Sequence, residues 1–175
     1  MKQLLRPGRR GVLVLLGAAL VLPDWAGDGF APYGRAQVDM HATPKINTVW
    51  DVNYEDPQDL SALYSFVLHT QRETQGEAVV VIHGPELRAF AIENYDTYQG
   101  VIDQMADLAA SGVQFKMCGQ AMRAAGFEAS DMHGFVTVIP VGFAELALWQ
   151  SRGYQYMNPI PLNVRDVRQL ERQGD

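Results

Sequence analysis

Cysteine is almost absent from this 175-residue chain, with Cys118 the only one. A single thiol excludes an intrachain disulfide framework and every zinc site built on paired cysteines. Basic residues are also scarce, 14 Lys and Arg against 20 Asp and Glu, for a formal charge of −6. That balance excludes the basic surface expected of a protein that grips a phosphate backbone, so no nucleic-acid partner is expected. Glycine-rich phosphate loops are missing as well. Neither GxGxxG nor GxxxxGK[ST] occurs, so no dinucleotide or nucleotide cofactor is expected. No HExxH or comparable His/Cys spacing supports a metal.

Apolar and aromatic surface is plentiful: 47% of residues are hydrophobic, and there are three Trp, seven Tyr and seven Phe. That is enough burial to offset the entropy of ordering, which excludes a disordered or fibrous chain. The length suits one domain.

The N-terminus reads separately from that domain. Lys2, Arg6, Arg9 and Arg10 precede twelve uncharged residues, Gly11–Leu22. A basic segment followed by a 7–15-residue apolar segment is the pattern of a secretory signal. Twelve residues rise only about 18 Å as helix, short of the about 30 Å hydrocarbon core, so no membrane anchor is expected to remain after processing. The Arg9-Arg10 pair resembles a twin-arginine signal and is also common in ordinary signals, so both export routes stay open. Cleavage could follow Ala26 or Ala36. Residues 1–36 are therefore assigned to the signal and cleavage region, 37–159 to the domain and 160–175 to a polar tail. If cleavage follows Ala36, nine basic residues face eighteen acidic ones, a net charge of −9.

Within the domain, strand and helix patterns alternate. Ile46–Val52 is rich in β-formers and predicts a strand, and Asp56-Pro57 is placed to cap and open a helix. Leu60, Leu63, Tyr64, Val67 and Leu68 form one apolar stripe on that helix, to about Arg72. Ala78–Ile82 (AVVVI) is a continuous β-branched run, the mark of a strand buried on both faces of a parallel sheet. A short helical piece covers Glu86–Ile92, and a second helix, Tyr98–Ala110, follows. Val113–Met117 predicts a third strand delivering Cys118-Gly119, then a short helix Gln120–Ala125 stopped by Gly126. Phe135–Ile139, a helix over Val141–Arg152 and a last strand Tyr154–Met157 complete the pattern. These βαβ units predict an α/β fold: a single three-layer domain with a mostly parallel five-stranded sheet flanked by helices.

Ligands of such sheets bind beyond the carboxyl ends of the strands. Four groups belong there: Asn53-Tyr54-Glu55, His83-Gly84-Pro85, Cys118-Gly119-Gln120 and Pro140-Val141-Gly142. Cys118 stands at a strand-to-helix junction, where free amides and the helix dipole favour a thiolate. The amides of Gly119 and Gln120 are the expected stabilisers of an anion on it. His83, at a strand end, is the expected partner for proton movement, with Gly84 and Tyr54 as ligand-binding neighbours. His41 carries no signal, His69 belongs to a helix face, and His133 falls at the opposite strand ends. Glu86 and Glu145 sit at helix starts, where they complement the dipole. No Asp or Asn is placed by spacing to complete a triad with Cys118 and His83.

With those residues in place, Val79–Tyr156 resembles the DsrE/DsrF-like (YchN-like fold) family, especially its exported members. The pieces that carry the resemblance are VVVIHGPELRAF (Val79–Phe90), LAASGVQFKMCGQAMRAAGF (Leu108–Phe127) and VTVIPVGFAELALWQSRGYQYMNP (Val136–Pro159). The resemblance implies a five-stranded parallel sheet and assembly into homo-oligomers, trimers or hexamers. It also implies sulfur relay, in which a cysteine at the end of the third strand carries a persulfide, and Cys118 matches that position. Related exported members often have Asn after Cys-Gly, where this chain has Gln120. The expectation is therefore a periplasmic sulfur-handling protein that exchanges sulfur with a donor or acceptor protein through Cys118. Lacking a second cysteine, it would transfer sulfur only between molecules. Two other readings stand beside it. One is an oligomeric ligand-binding or assembly module, with a strand-end pocket lined by Tyr54, His83, Phe90 and Met122 and a packed Cys118. The other is a redox sensor that forms intermolecular disulfides.

Overall fold

In the computed structural model, which describes residues 34–36 and 38–160, five strands form one sheet of order β4-β3-β2-β1-β5. They are β1 (Thr48–Val52), β2 (Ala78–Ile82), β3 (Gln114–Cys118), β4 (Val136–Ile139) and β5 (Gln155–Met157). Every neighbouring pair is parallel. The chain is a three-layer α/β domain. The expected signal segment, apart from residues 34–36, and the tail beyond Ile160 lie outside the described residues.

The strand order decides how the helices are shared. From β1 to β4 the chain steps across the sheet in one direction. Right-handed crossovers therefore put α1 (Leu60–Thr74), α2 (Tyr95–Ala110) and α3 (Gly119–Ala124) on the same face. From β4 it returns across the whole sheet to β5, and α4 (Gly142–Ser151) lands on the other face. The first face is thick: Leu60, Leu63 and Val67 of α1 and Val101, Ile102, Met105 and Leu108 of α2 bury Trp50, Val52, Val80, Ile82, Phe115 and Met117. The second is thin. Only Leu146 and Tyr154, with Trp149 alongside, cover Val49, Val79 and Val81.

Local sequence explains the element ends. Asp56 accepts a hydrogen bond from the Gln58 amide at 2.9 Å, and Pro57 opens a 3-10 turn over Pro57–Asp59 that leads into α1. The structure starts α2 three residues before the expected Tyr98, with Tyr98 itself non-helical at φ −117°. The apolar stripe begins only at Val101, so periodicity could not register the polar first turn. The piece expected over Glu86–Ile92 is a 3-10 helix, Pro85–Phe90. Gly126, read as a helix stop, has φ +88°, a left-handed conformation that glycine adopts without steric cost.

A candidate thiol site on the thin face

Side chains alternate between the two faces of a strand, and that alternation sorts the candidate residues. On β1, Trp50 and Val52 point into the thick core and Val49 into the thin one, which leaves Asp51 on the thin side. On β2, Val79 and Val81 face the thin side, and His83 continues their row. On β3, Phe115 and Met117 enter the thick core, so Cys118 faces the thin side. Cys118 and His83 thus come together as expected. Tyr54 does not join them: it continues the row of Trp50 and Val52, and its ring lies in the thick core with Phe90 and Met122. A strand-end pocket lined by Tyr54, His83, Phe90 and Met122 is therefore not formed, since three of its four members are core residues.

Cys118 is the last residue of β3 and the N-cap of α3, with 7% of its surface exposed. Burial pushes the thiol up. The amides of Ala121, Gly142 and Gln120 and the Arg123 guanidinium outweigh it and hold Cys118 below the ordinary thiol value. Gln120 supplies an amide as anticipated. Gly119 does not; its role is close packing, because a Cβ there would stand 3.0 Å from the Ile139 carbonyl oxygen and 3.1 Å from Arg123 Nη1. The remaining donors come from Ala121 and from Gly142 at the start of α4, so two helix N-termini converge on one sulfur.

Gly142 also sets the distance between the two reactive groups. A Cβ on it would lie 3.3 Å from the Cβ atoms of both Cys118 and His83. That is tighter than an ordinary contact, so a side chain there would make one or both give by a few tenths of an ångström. The next residue, Phe143, packs against the His83 ring, tilted by 52° with centroids 4.9 Å apart.

Sequence spacing placed no acid beside His83, whereas the fold does. Asp51 Oδ1 pairs with His83 Nε2 at 2.5 Å, and the Tyr156 hydroxyl donates to Oδ2 at 2.5 Å. Asp51 is itself buried. A signal for it existed: it is the one charged residue in a strand of Thr, Val and Trp, and a buried carboxylate needs a donor. The pairing with β5, Val49 beside Tyr156, is what brings the phenol over, and no short-range pattern encodes it.

Glu86 also departs from its expected role as a simple dipole partner. Its side chain is 0% exposed and accepts the Tyr54 amide at 2.8 Å and the Gly84 amide at 3.0 Å, clasping the loops after β1 and β2. Burial raises its carboxyl, against the bonds from the amides of Glu86 itself, Gly84 and Tyr54 and the nearby His83. Gly84 makes room for this clasp, since a Cβ there would stand 2.3 Å from Glu86 Oε2. Gly84 is thus part of the scaffold under His83. His133 precedes β4 at the opposite strand ends and stacks on Phe135, while His69 is exposed on α1. Among the described residues no group of three or more His, Cys, Asp or Glu could hold a metal ion.

The model of the DsrE/DsrF-like family matches residues 56–159. The chain belongs to this family. DsrE-like proteins are often linked to sulfur metabolism. Among solved structures, this DsrE-like chain is similar to the protein of unknown function MTH1491 from Methanobacterium thermoautotrophicum. The two are 21% identical with a TM-score of 0.57, over 65% of this chain and 99% of that one. That likeness establishes a shared fold. No curated protein matches the chain. The DsrE match takes in His83, Cys118, Gly142 and Tyr156 but begins after β1, so Asp51 lies outside it.

Proposed function

We propose that this is an exported, periplasmic DsrE-like protein that carries sulfane sulfur on Cys118. The observation that supports this most is the convergence of the Gln120, Ala121 and Gly142 amides on the Cys118 sulfur, which favours the anion needed for attack. The Cys118 thiolate attacks the outer sulfur of a persulfide or polysulfide donor. The donor S–S bond breaks, the donor leaves as a thiolate, and Cys118 holds a persulfide anion at the two helix ends. An acceptor thiolate then takes the outer sulfur and regenerates the Cys118 thiolate. No net oxidant or reductant enters, and transfer runs between molecules because the chain has one cysteine.

Assembly into a trimer or hexamer belongs to the same proposal. Helix α4 (GFAELALWQS) is apolar nearly all round, yet buries only Gly142 and Leu146. Phe143 is 69% exposed, and Leu148 and Tyr156 are also open. A helix without a polar face belongs against a partner. Trp149 and Tyr154 pack on each other with centroids 4.7 Å apart and serve the thin face itself.

The test is mass spectrometry of the purified protein after incubation with polysulfide. The wild type is expected to gain about 32 Da, one sulfur atom, lost on reduction, and the Cys118→Ser variant to gain none. No gain on the wild type, or an equal gain on both, would overturn the proposal. The near-burial of Cys118 favours the rival reading of a packed thiol in a binding or assembly module. That reading predicts a sulfur inert to both polysulfide and alkylating agents.

A further inference from the structure

Asp51 is an expensive residue to place where it stands. It lies inside β1, between β2 and β5, with 8% of its surface exposed. An apolar side chain would fill that position without the desolvation of a charge. Both carboxylate oxygens are engaged, Oδ1 with His83 Nε2 and Oδ2 with the Tyr156 hydroxyl. A carboxylate only accepts hydrogen bonds, so Nε2 and the phenol are the donors. Tyr156 in turn accepts from Asn158 Nδ2 at 3.3 Å, which agrees with its own proton being committed to Asp51. Asn158, Tyr156, Asp51 and His83 form one directed array whose end lies beside Cys118, across Gly142.

We infer that Asp51 and Tyr156 are positioning residues that hold His83 as the tautomer protonated on Nε2, leaving Nδ1 to exchange the Cys118 proton. Among the described residues Nδ1 has no hydrogen-bond partner. The inference rests on the sulfur-carrier reading of Cys118 and assigns its proton path. Where Cys118 is still protonated, its proton first passes to His83 Nδ1 through one water across Gly142, Asp51 stabilises the imidazolium, and the thiolate then attacks. The departing donor thiolate then takes that proton back from Nδ1, so charge and atoms balance over the step. Asp51 and Tyr156 touch neither sulfur; they act through the imidazole.

The tautomer is directly observable. In 15N-labelled full-length protein at pH 8, long-range 1H–15N spectra, with His83→Gln to assign the ring, are expected to show His83 protonated on Nε2 alone. Asp51→Asn carries both a donor and an acceptor, so the ring is expected to become a mixture of tautomers. Alkylation of Cys118 by iodoacetamide at pH 7 should slow at least about tenfold. Tyr156→Phe keeps the carboxylate and should preserve the tautomer while slowing alkylation about two- to threefold. A wild-type ring protonated on Nδ1, or averaging between tautomers, overturns the inference even if Asp51→Asn does not fold. An unchanged tautomer in a folded Asp51→Asn variant overturns it too. Persulfidation of the wild type together with the wrong tautomer removes this inference and spares the sulfur-carrier reading; the predicted tautomer without persulfidation does the reverse.

Discussion

The two faces of the sheet are built for different ends. The thick face is closed by three helices and buries Trp50, Phe90, Phe115, Leu60, Leu63 and Met105 almost completely. It contains the hydrophobic stabilisation of the fold and the Glu86 clasp, and of the groups that meet at Cys118 it supplies only those of α3, the Gln120 and Ala121 amides and Arg123. The thin face has one helix and five buried core residues, and it holds Cys118, His83, Asp51 and Tyr156. The candidate groups stand where the packing is sparse. A thiolate and its proton partner need an approach path, and a fully enclosed core offers none. The same sparseness leaves α4 apolar and uncovered, so the face proposed to react and the face proposed to assemble coincide.

The sharpest way to break this comparison is a matched pair of truncations. Leu63→Ala on the thick face is expected to lower stability toward the upper part of the about 2–5 kcal/mol range for buried leucines, and Leu146→Ala on the thin face toward the lower part. Leu63 is enclosed on every side, whereas water can reach the space that Leu146 leaves. Urea denaturation midpoints at a fixed protein concentration decide it, and equal losses would mean that the faces are equally packed.

Next in size is the effect on assembly. Replacing Phe143 and Leu148 together with Ser should reduce the mass seen by light scattering to that of one chain. Removing two exposed side chains should leave the far-ultraviolet circular dichroism of the protomer unchanged. An unchanged oligomer would place the interface elsewhere.

The smallest expected effect concerns Glu86. Its carboxyl is raised in the folded state by burial. The stability it contributes is therefore fully present below the ordinary carboxyl value and is lost as pH rises through the raised one. Glu86→Gln, which cannot ionise, should gain on the wild type as pH climbs from about 4 to 7, the interval just above the ordinary carboxyl range. A stability difference that is flat across that interval would show that the amide clasp compensates for the burial.

Much of the thick face was legible in the sequence. The AVVVI run marked β2 residue for residue, and the Leu60, Leu63, Val67 spacing marked the buried stripe of α1, because period and composition are local properties. Cys118 was legible as a strand-to-helix junction for the same reason. The rest of the site was less so. Tyr54 was grouped with Cys118 because both follow strands, but one step of pleat parity separates two faces, and parity shows only once the register is known. Asp51 meets His83 through β1–β2 pairing, and Tyr156 meets Asp51 through β5, 105 residues along the chain. Gly142 reaches Cys118 only because α4 crosses back over the sheet. These are consequences of strand order, and no window of neighbouring residues contains them.

The central claim is that the thin face holds Cys118, though nearly buried, as a stabilised thiolate that a reagent can reach. The rate of iodoacetamide alkylation at Cys118, followed by mass spectrometry across pH 5 to 10, tests it most directly. Half-maximal reactivity below the free-cysteine value of about 8.5 is the predicted result. A midpoint at or above that value, or a sulfur that does not react while the protein stays folded, would contradict the account and leave Cys118 a packed core residue.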